Sequence, residues 1–325
     1  RPMTPIAAAR ASILIFLSRA ARSNSPSTEA WNRTYADLLI LSSAGLVSEA
    51  AQKAQDLTTD YMNFLRPSLH RENGRWRMWF SWRPRKSIAL VESTDGITWS
   101  EPVEVLLPRE ATGWEDGMNR PVVLKHEGVY HMWYTGQARR QSWIGHAASE
   151  DGVTWHERSE TPVLSPEEPW EKVAVMCPHV LWDEARGEYR MWYSGGEQYE
   201  PDAIGHATST DGLTWVKHPS NPVFAADPDQ PWEQAKVTAC QVVLHQGWYT
   251  MFYVGFRDVH HAQIGAARSR DGLTGWQRHP ANPLIAPDED AWDHDACYKP
   301  FAVLDGDRAG VIERPAAMHR SEHLL

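Results

Sequence analysis

Cysteine is scarce in this chain. The three residues, Cys177, Cys240 and Cys297, cannot make a disulfide framework. Each falls near the start of an expected inner strand, so we read them as small buried thiols and not as metal ligands. Long apolar runs are missing too. No stretch approaches the ~20 apolar residues of a membrane helix, and no membrane partner is expected. The segment Ala7–Ala21 has only a short apolar centre with arginines on both sides. A secretory signal needs a longer apolar region and a small-residue cleavage site, so a cytoplasmic location is expected. Positive charge is in deficit, with 32 Lys and Arg against 42 Asp and Glu and a net charge of −10. That balance argues against a nucleic-acid backbone as partner. Nothing in the composition sets an oligomeric state.

What the chain has in quantity is a repeat. Ile144–Trp155 reads IGHAASEDGVTW, Ile204–Trp215 reads IGHATSTDGLTW, Ile264–Trp276 reads IGAARSRDGLTGW and Ile88–Trp99 reads IALVESTDGITW. Asp-Gly between two strand-like runs is a strong hairpin signal, because a tight turn needs residues that accept positive φ. The aspartates Asp95, Asp151, Asp211 and Asp271 stand 56, 60 and 60 residues apart. Four strands per repeat at that period describe the blade of a β-propeller. The 17 tryptophans and 10 tyrosines suit a core packed between blades, with Trp99, Trp155, Trp215 and Trp276 expected to be largely buried there.

The expectation is therefore an all-β, five-bladed propeller over residues 61–325, preceded by a non-repeating segment, 1–60. Residues 65–107, 119–164, 177–224 and 240–285 are predicted as four complete blades. A fifth opens with Cys297–Leu304 and then loses the pattern. Ala309–Leu325 holds no second strand of the Trp-Tyr-x-Gly type, so the fifth blade is expected to be incomplete or to be finished by residues from 1–60.

Antiparallel strands place the Asp-Gly hairpins on one face of the ring. The loops from strand two to three, and from strand four into the next blade, lie on the other. The four Asp-Gly aspartates are thus turn residues. On the opposite face, Trp114-Glu115, Trp170-Glu171, Trp232-Glu233 and Trp292-Asp293 repeat and are assigned to the scaffold. Asp116, Asp295 and Glu197 break the repeat and are the better site candidates. Glu200, Asp202 and Asp258 are further acids on this face. Arg66, Arg120 and Lys299 precede the inner-strand proline, and Cys177 and Cys240 are read as holding the same register. His179 and Gln241 stand close by. A channel ring of such groups is costly to bury without anionic partners. Acids, bases and aromatic walls together suit a sugar.

The motifs YHMWYTG…IGHAASEDGVTW, EYRMWYSGG…IGHATSTDGLTW and WYTMFYVG…IGAARSRDGLTGW resemble those of the five-bladed β-propeller glycosidases over about residues 62–305. The relatives are glycoside hydrolase family 43, the invertase and levansucrase families, and the family 130 mannoside phosphorylases. The resemblance implies a hydrolase acting on an oligosaccharide, as in polysaccharide degradation, by carboxylate acid/base catalysis in the funnel. Glu197 is then the acid, because relatives place theirs in the third blade. Asp116 and Asp295 are base and modulator in either order. Arg66, Arg120, His179, Gln241, Arg257, Asp258 and Lys299 bind substrate. The hydrolases usually carry an acid on the first inner strand, where this chain has Arg66-Pro67-Ser68. Two alternatives stand beside this reading: a glycoside phosphorylase, in which Arg66, Arg120, Lys299 or His179 holds phosphate, and a non-catalytic sugar-binding propeller. No cofactor is expected and no metal-ligand spacing is present, though some relatives hold a channel Ca²⁺.

Overall fold

The computed structural model describes residues 38–42, 64–95, 98–156, 159–198, 201–287, 297–305 and 308–315, with the backbone alone for 38–42, 64–67, 298–299, 301–305 and 308–315. Apart from three single-turn 3₁₀ helices, every described regular element is a strand. β1 is Leu38–Ser42. The first blade is β2 (Phe64–Glu72), β3 (Arg75–Trp82), β4 (Ser87–Ser93) and β5 (Val103–Leu106). The second is β6 (Gly117–His126), β7 (Val129–Ala138) and β8 (Gln141–Ser149). The third is β9 (Ala174–Asp183), β10 (Glu188–Gly196), β11 (Ala203–Ser209) and two outer fragments, β12 (Val216–Lys217) and β13 (Phe224–Ala225). The fourth is β14 (Lys236–His245), β15 (Trp248–Phe256), β16 (Ala262–Ser269) and β17 (Gln277–Arg278). β18 (Cys297–Asp305) and β19 (Arg308–Pro315) follow. The second and third blades join through one residue pair, Ser142 with Ala174. The first strands meet in order, β2 with β6, β6 with β9, β9 with β14, β14 with β18 and β18 with β2.

Three expectations meet the structure with different outcomes. A second strand without the Trp-Tyr-x-Gly motif follows Leu304 as β19, antiparallel to β18, and β1, which lies within residues 1–60, adds to it in parallel, the alternative in which that segment contributes to the fifth blade. The run Ala-Gly-Val-Ile-Glu needs no Trp-Tyr motif to pair. The fourth strands are not continuous. Between Trp155 and Leu164 the second blade has, among the described residues, only bridges from Ala148 to His156 and from Ile144 to Leu164, because an outermost strand has a partner on one side alone. Finally, only Trp99 among the four Asp-Gly tryptophans is buried, at 4 % exposure. Trp155, Trp215 and Trp276 are half-buried, edge-on against Trp79, Trp133 and Phe224 of the preceding blade.

The fully buried tryptophans lie on the second strands. Trp79, Trp133 and Trp192 are each 0 % exposed. Each indole N–H donates to the Asp-Gly glycine carbonyl of the next blade: Trp79 to Gly152 at 2.8 Å, Trp133 to Gly212 and Trp192 to Gly272 at 2.9 Å. The turn that accepts is built by its aspartate. Asp151 Oδ1 accepts the N–H groups of Val153 and Thr154 at 2.8 and 2.7 Å, and Gly152 has φ 72°. Two residues further along the second strands, Ser81, Thr135 and Ser194 accept the backbone N–H of Arg120, Cys177 and Ala239 in the next blade at 2.7, 3.1 and 2.8 Å.

Blade four breaks both rules at once. Phe252 stands where the tryptophans stand, and Val254 where the hydroxyls stand. Phe252 has no side-chain N–H to donate to a turn of the next blade. The interface is apolar instead: Phe252 packs with Ile264, Ala266 and Cys297. Cys177, Cys240 and Cys297 are buried thiols. Trp192→Phe, which copies blade four into blade three, leaves the buried Gly272 carbonyl without its indole donor. It should cost about 1–3 kcal/mol in urea unfolding. An unchanged midpoint would show that this bond between blades carries no stability.

Candidate functional site

Each inner strand carries a bulge near its start, where the register with the second strand shifts: between Leu65 and Ser68, Asn119 and Val122, Thr238 and Gln241, and Tyr298 and Phe301, and opposite Trp192 and Ser194 in the third blade. Arg120, Cys177 and Ala239 occupy the bulge with φ 57°, 57° and 58°. That geometry corrects the sequence register in blade four by one residue. Ala239, not Cys240, is the counterpart of Arg120 and Cys177. Cys240 stands where the others have proline, and Gln241 is the counterpart of His179.

The linkers into these strands hold the repeated Trp-acid pair. Glu115, Glu171 and Glu233 are 0 % exposed. Tyr134, Tyr193 and Tyr253 donate to them at 2.9, 2.7 and 2.5 Å. A cation closes each cluster: Arg109 at 2.6 Å, Lys217 at 2.6 Å, and Arg278 on Glu233. Burial pushes Glu233 upward against the pull of Tyr253 and Arg278. The preceding tryptophans fill slots left by glycine. A Cβ on Gly136 would stand 2.5 Å from the Trp114 ring, and one on Gly195 2.5 Å from Trp170. These three acids hold the linkers in place and have no carboxyl oxygen to spare for a ligand.

The other acids of this face differ sharply in how they are held. Asp116, at the foot of β6, is half-buried, and among the described residues it has no hydrogen-bond or ion-pair partner. Glu197 is 54 % exposed and 3.1 Å from Lys172 Nζ. The same ammonium lies 2.6 Å from Asp202, whose other oxygen is 3.2 Å from Lys236. Burial pushes Asp202 upward, but the two lysines outweigh it and hold the carboxyl below its usual range. Asp258 is lowered by the ring of His261 at 2.7 Å and by the N–H of His260, with Arg257 Nε at 3.2 Å.

Of the expected basic and polar groups whose side chains are described, Arg120 is left incomplete. Its Nε is buried without a partner, its Nη1 rests on Met176 Sδ, and among the described residues no carboxylate pairs with it. His179 does not serve the channel as expected. It is 7 % exposed and its Nε2 meets the Val242 carbonyl of the next blade at 2.7 Å, which makes it a blade-to-blade tie. Burial holds it at about 4. Ser68, at the same register in blade one, serves likewise by accepting Val123 N–H at 2.9 Å. Gln241 is also buried, at 7 % exposure. Asp293, Asp295 and Glu200 lie outside the described residues, as do the side chains of Arg66 and Lys299. Lys172 was missed from the sequence. Its signal was its place directly after a repeated Trp-Glu pair, in a linker where its siblings have Asp116 and Gln234.

Among the described residues no three His, Cys, Asp or Glu side chains come together to hold a metal ion, and no helix is long and apolar enough to cross a membrane. A cleft of about 450 Å³ opens on the opposite, hairpin face. Its charges are mutually satisfied, Lys125 with Glu72 at 2.5 Å and Arg77 with Glu92 at 2.9 Å, so it offers little to a ligand.

Residues 66–220 match the family model of the glycosyl hydrolases family 32 N-terminal domain. An uncharacterised protein of Mycobacterium tuberculosis is 29 % identical over 267 residues, 74 % of this chain and 86 % of the relative. A 1,2-beta-oligomannan phosphorylase of Thermoanaerobacter sp. is 24 % identical over 200 residues, 58 % of this chain and 61 % of that protein. A solved glycoside hydrolase has a TM-score of 0.63 at 20 % identity, covering 84 % of this chain and 97 % of its own. A thermostable family-43 glycoside hydrolase has a TM-score of 0.58 at 17 % identity, covering 77 % and 88 %. At these identities the structural likeness is one of fold, and the fold is that of the propeller glycosidases.

Proposed function

We propose that this chain, whose residues 66–220 match a glycosyl hydrolase domain, hydrolyses a glycosidic bond of an oligosaccharide at the channel mouth of a five-bladed ring, in the manner of family 43. The observation that carries the reading is Asp116, a half-buried carboxylate on the funnel face with no partner among the described residues. Its described neighbours on that face are already committed to lysine, arginine or histidine. In this reading Asp116 and Asp295 provide the base and its modulator. Water attacks the anomeric carbon and loses a proton to the base, while the bond to the leaving oxygen breaks and that oxygen takes a proton from Glu197. Glu197 is chosen because the propeller glycosidases that the chain resembles place their acid in the third blade; Lys172 lies 3.1 Å from it and also pairs with Asp202 at 2.6 Å.

Arg120 favours a second reading. A buried guanidinium edge without a partner is suited to an oxyanion, and phosphate in place of water would make the enzyme a phosphorylase needing one acid. The test is release of aryl alcohol from a panel of aryl glycosides, with and without inorganic phosphate. Hydrolysis predicts release that ignores phosphate. Strict dependence on phosphate, with a sugar 1-phosphate as product, selects the second reading. No release under either condition overturns both and leaves a sugar-binding propeller.

A further inference from the structure

The turn between β7 and β8 uses the wrong residues for its shape. It is a two-residue hairpin, Arg139-Arg140, closed by the pair Ala138 and Gln141. Both arginines are left-handed, with φ 50° and 60°. Such turns favour Asn-Gly or another pair ending in glycine. The chain follows that preference in its other left-handed two-residue hairpins, Asn73-Gly74, Glu127-Gly128 and Gln246-Gly247. All three lie on the hairpin face. Arg139-Arg140 lies on the funnel face. Lys86, also on that face, is likewise left-handed, with φ 53°, at the end of a 3₁₀ turn, a position where glycine is the easy choice. Strained residues retained against local preference mark sites where the side chain is needed.

Lys86 and Arg139 lie at the foot of β6, whose first residue follows Asp116, and Arg140 adjoins Arg139 in the turn. Lys86 accepts the N–H of Met118 at 2.9 Å through its carbonyl. Arg139 donates to the Gly113 carbonyl. Gly117 pairs with Gln137, two residues before the turn. All three side chains are exposed. Among the described residues no carboxylate pairs with any of them, in a protein of net charge −10.

We propose that Lys86, Arg139 and Arg140 form an oxyanion subsite on the rim of the funnel, and that the saccharide bound there carries a carboxylate, phosphate or sulfate group. The proposal rests on the funnel face being the saccharide site. It is tested by binding, so that absence of turnover, which would defeat the functional reading, leaves this one standing or falling by itself.

The probes are oligogalacturonate, a heparin-derived oligosaccharide and a phosphorylated mannan oligosaccharide, each paired with its neutral form (methyl-esterified, desulfated or dephosphorylated), plus inorganic phosphate alone. The protein is the wild type and Arg139→Asn combined with Arg140→Gly. Wild type should bind at least one anionic probe about 10–100-fold more tightly than its neutral form, and added salt should weaken the preference. In the double variant the preference should collapse while the melting temperature holds or rises, because Asn-Gly suits the turn better. Phosphate binding that is lost in the variant assigns the oxyanion to a free co-substrate; anionic-saccharide binding without it assigns the oxyanion to a substituent. No preference in any pair together with no phosphate binding, or a preference that survives the double substitution, overturns the proposal.

Discussion

Taking the protein from pH 7.5 to pH 5 should remove several kcal/mol of folding stability, well before its carboxylates are neutralised. The cause is a set of histidines buried in the neutral form. Burial, with a smaller push from His131, holds His146 at about 3, against an ordinary value of 6.5. Burial, then Arg190 and His218, holds His206 at about 3. Burial holds His179 at about 4, and burial with Arg268 does the same for His279. These folded values lie below the unfolded one. Stability is therefore fully present above pH 6.5 and is lost as pH falls from there toward 4, where the unfolded chain takes up protons that the folded one refuses. At pH 5 each of His146, His179 and His206 should contribute a loss of about 2 kcal/mol, against a total stability for a typical protein of about 5–15 kcal/mol. His206 is the sharpest case, since neither ring nitrogen has a partner. Urea unfolding at pH 7.5, 6 and 5 reads the effect directly, and His206→Leu should flatten part of the slope. A midpoint that does not move across this range would contradict the burial argument.

Glu197→Gln should lower turnover on a natural glycoside by about 10²–10⁴-fold with little loss of binding. The amide keeps the shape and removes the proton. Folding should not suffer, because the side chain is 54 % exposed and its one described partner, Lys172, retains Asp202. The decisive comparison is a second substrate whose leaving group needs no protonation. There the defect should shrink. An equal defect on both substrates takes Glu197 out of the acid role.

Much of the fold was legible because the repeat is a record of contacts between blades. The glycines of Trp-Tyr-x-Gly and Ile-Gly make room for a tryptophan, and Asp-Gly makes the turn that the preceding blade's indole binds. The predicted blade starts, residues 65, 119, 177 and 240, accordingly fall within the first strands β2, β6, β9 and β14. The outer strands were not legible. Val216–Lys217 and Gln277–Arg278 pair over two residues each, too short to leave a pattern. Blade four slipped by one residue because Cys240 stands in place of the proline that marks the bulge elsewhere, and only the positive φ of Ala239 restores the register. His179 was read as a channel residue by its nearness to that proline. Alternation across the bulge turns it to the neighbouring blade, a direction that spacing does not carry. The repeated glutamates Glu115, Glu171 and Glu233 are buried and saturated, whereas of the unrepeated acids Asp116 has no partner among the described residues and Glu197 meets Lys172.

Every catalytic assignment above depends on which face of the ring does the chemistry. The most direct test compares Asp116→Asn with Asp151→Ala on one cleaved glycoside, measuring turnover and melting temperature for both. Asp116→Asn should lose turnover by about 10²–10⁴-fold and melt with the wild type. Asp151→Ala, which removes the acceptor of the Val153 and Thr154 N–H groups, should melt earlier and turn over normally when folded. Full turnover in Asp116→Asn, or loss of turnover in a folded Asp151→Ala, would contradict the assignment and place the chemistry elsewhere on the ring.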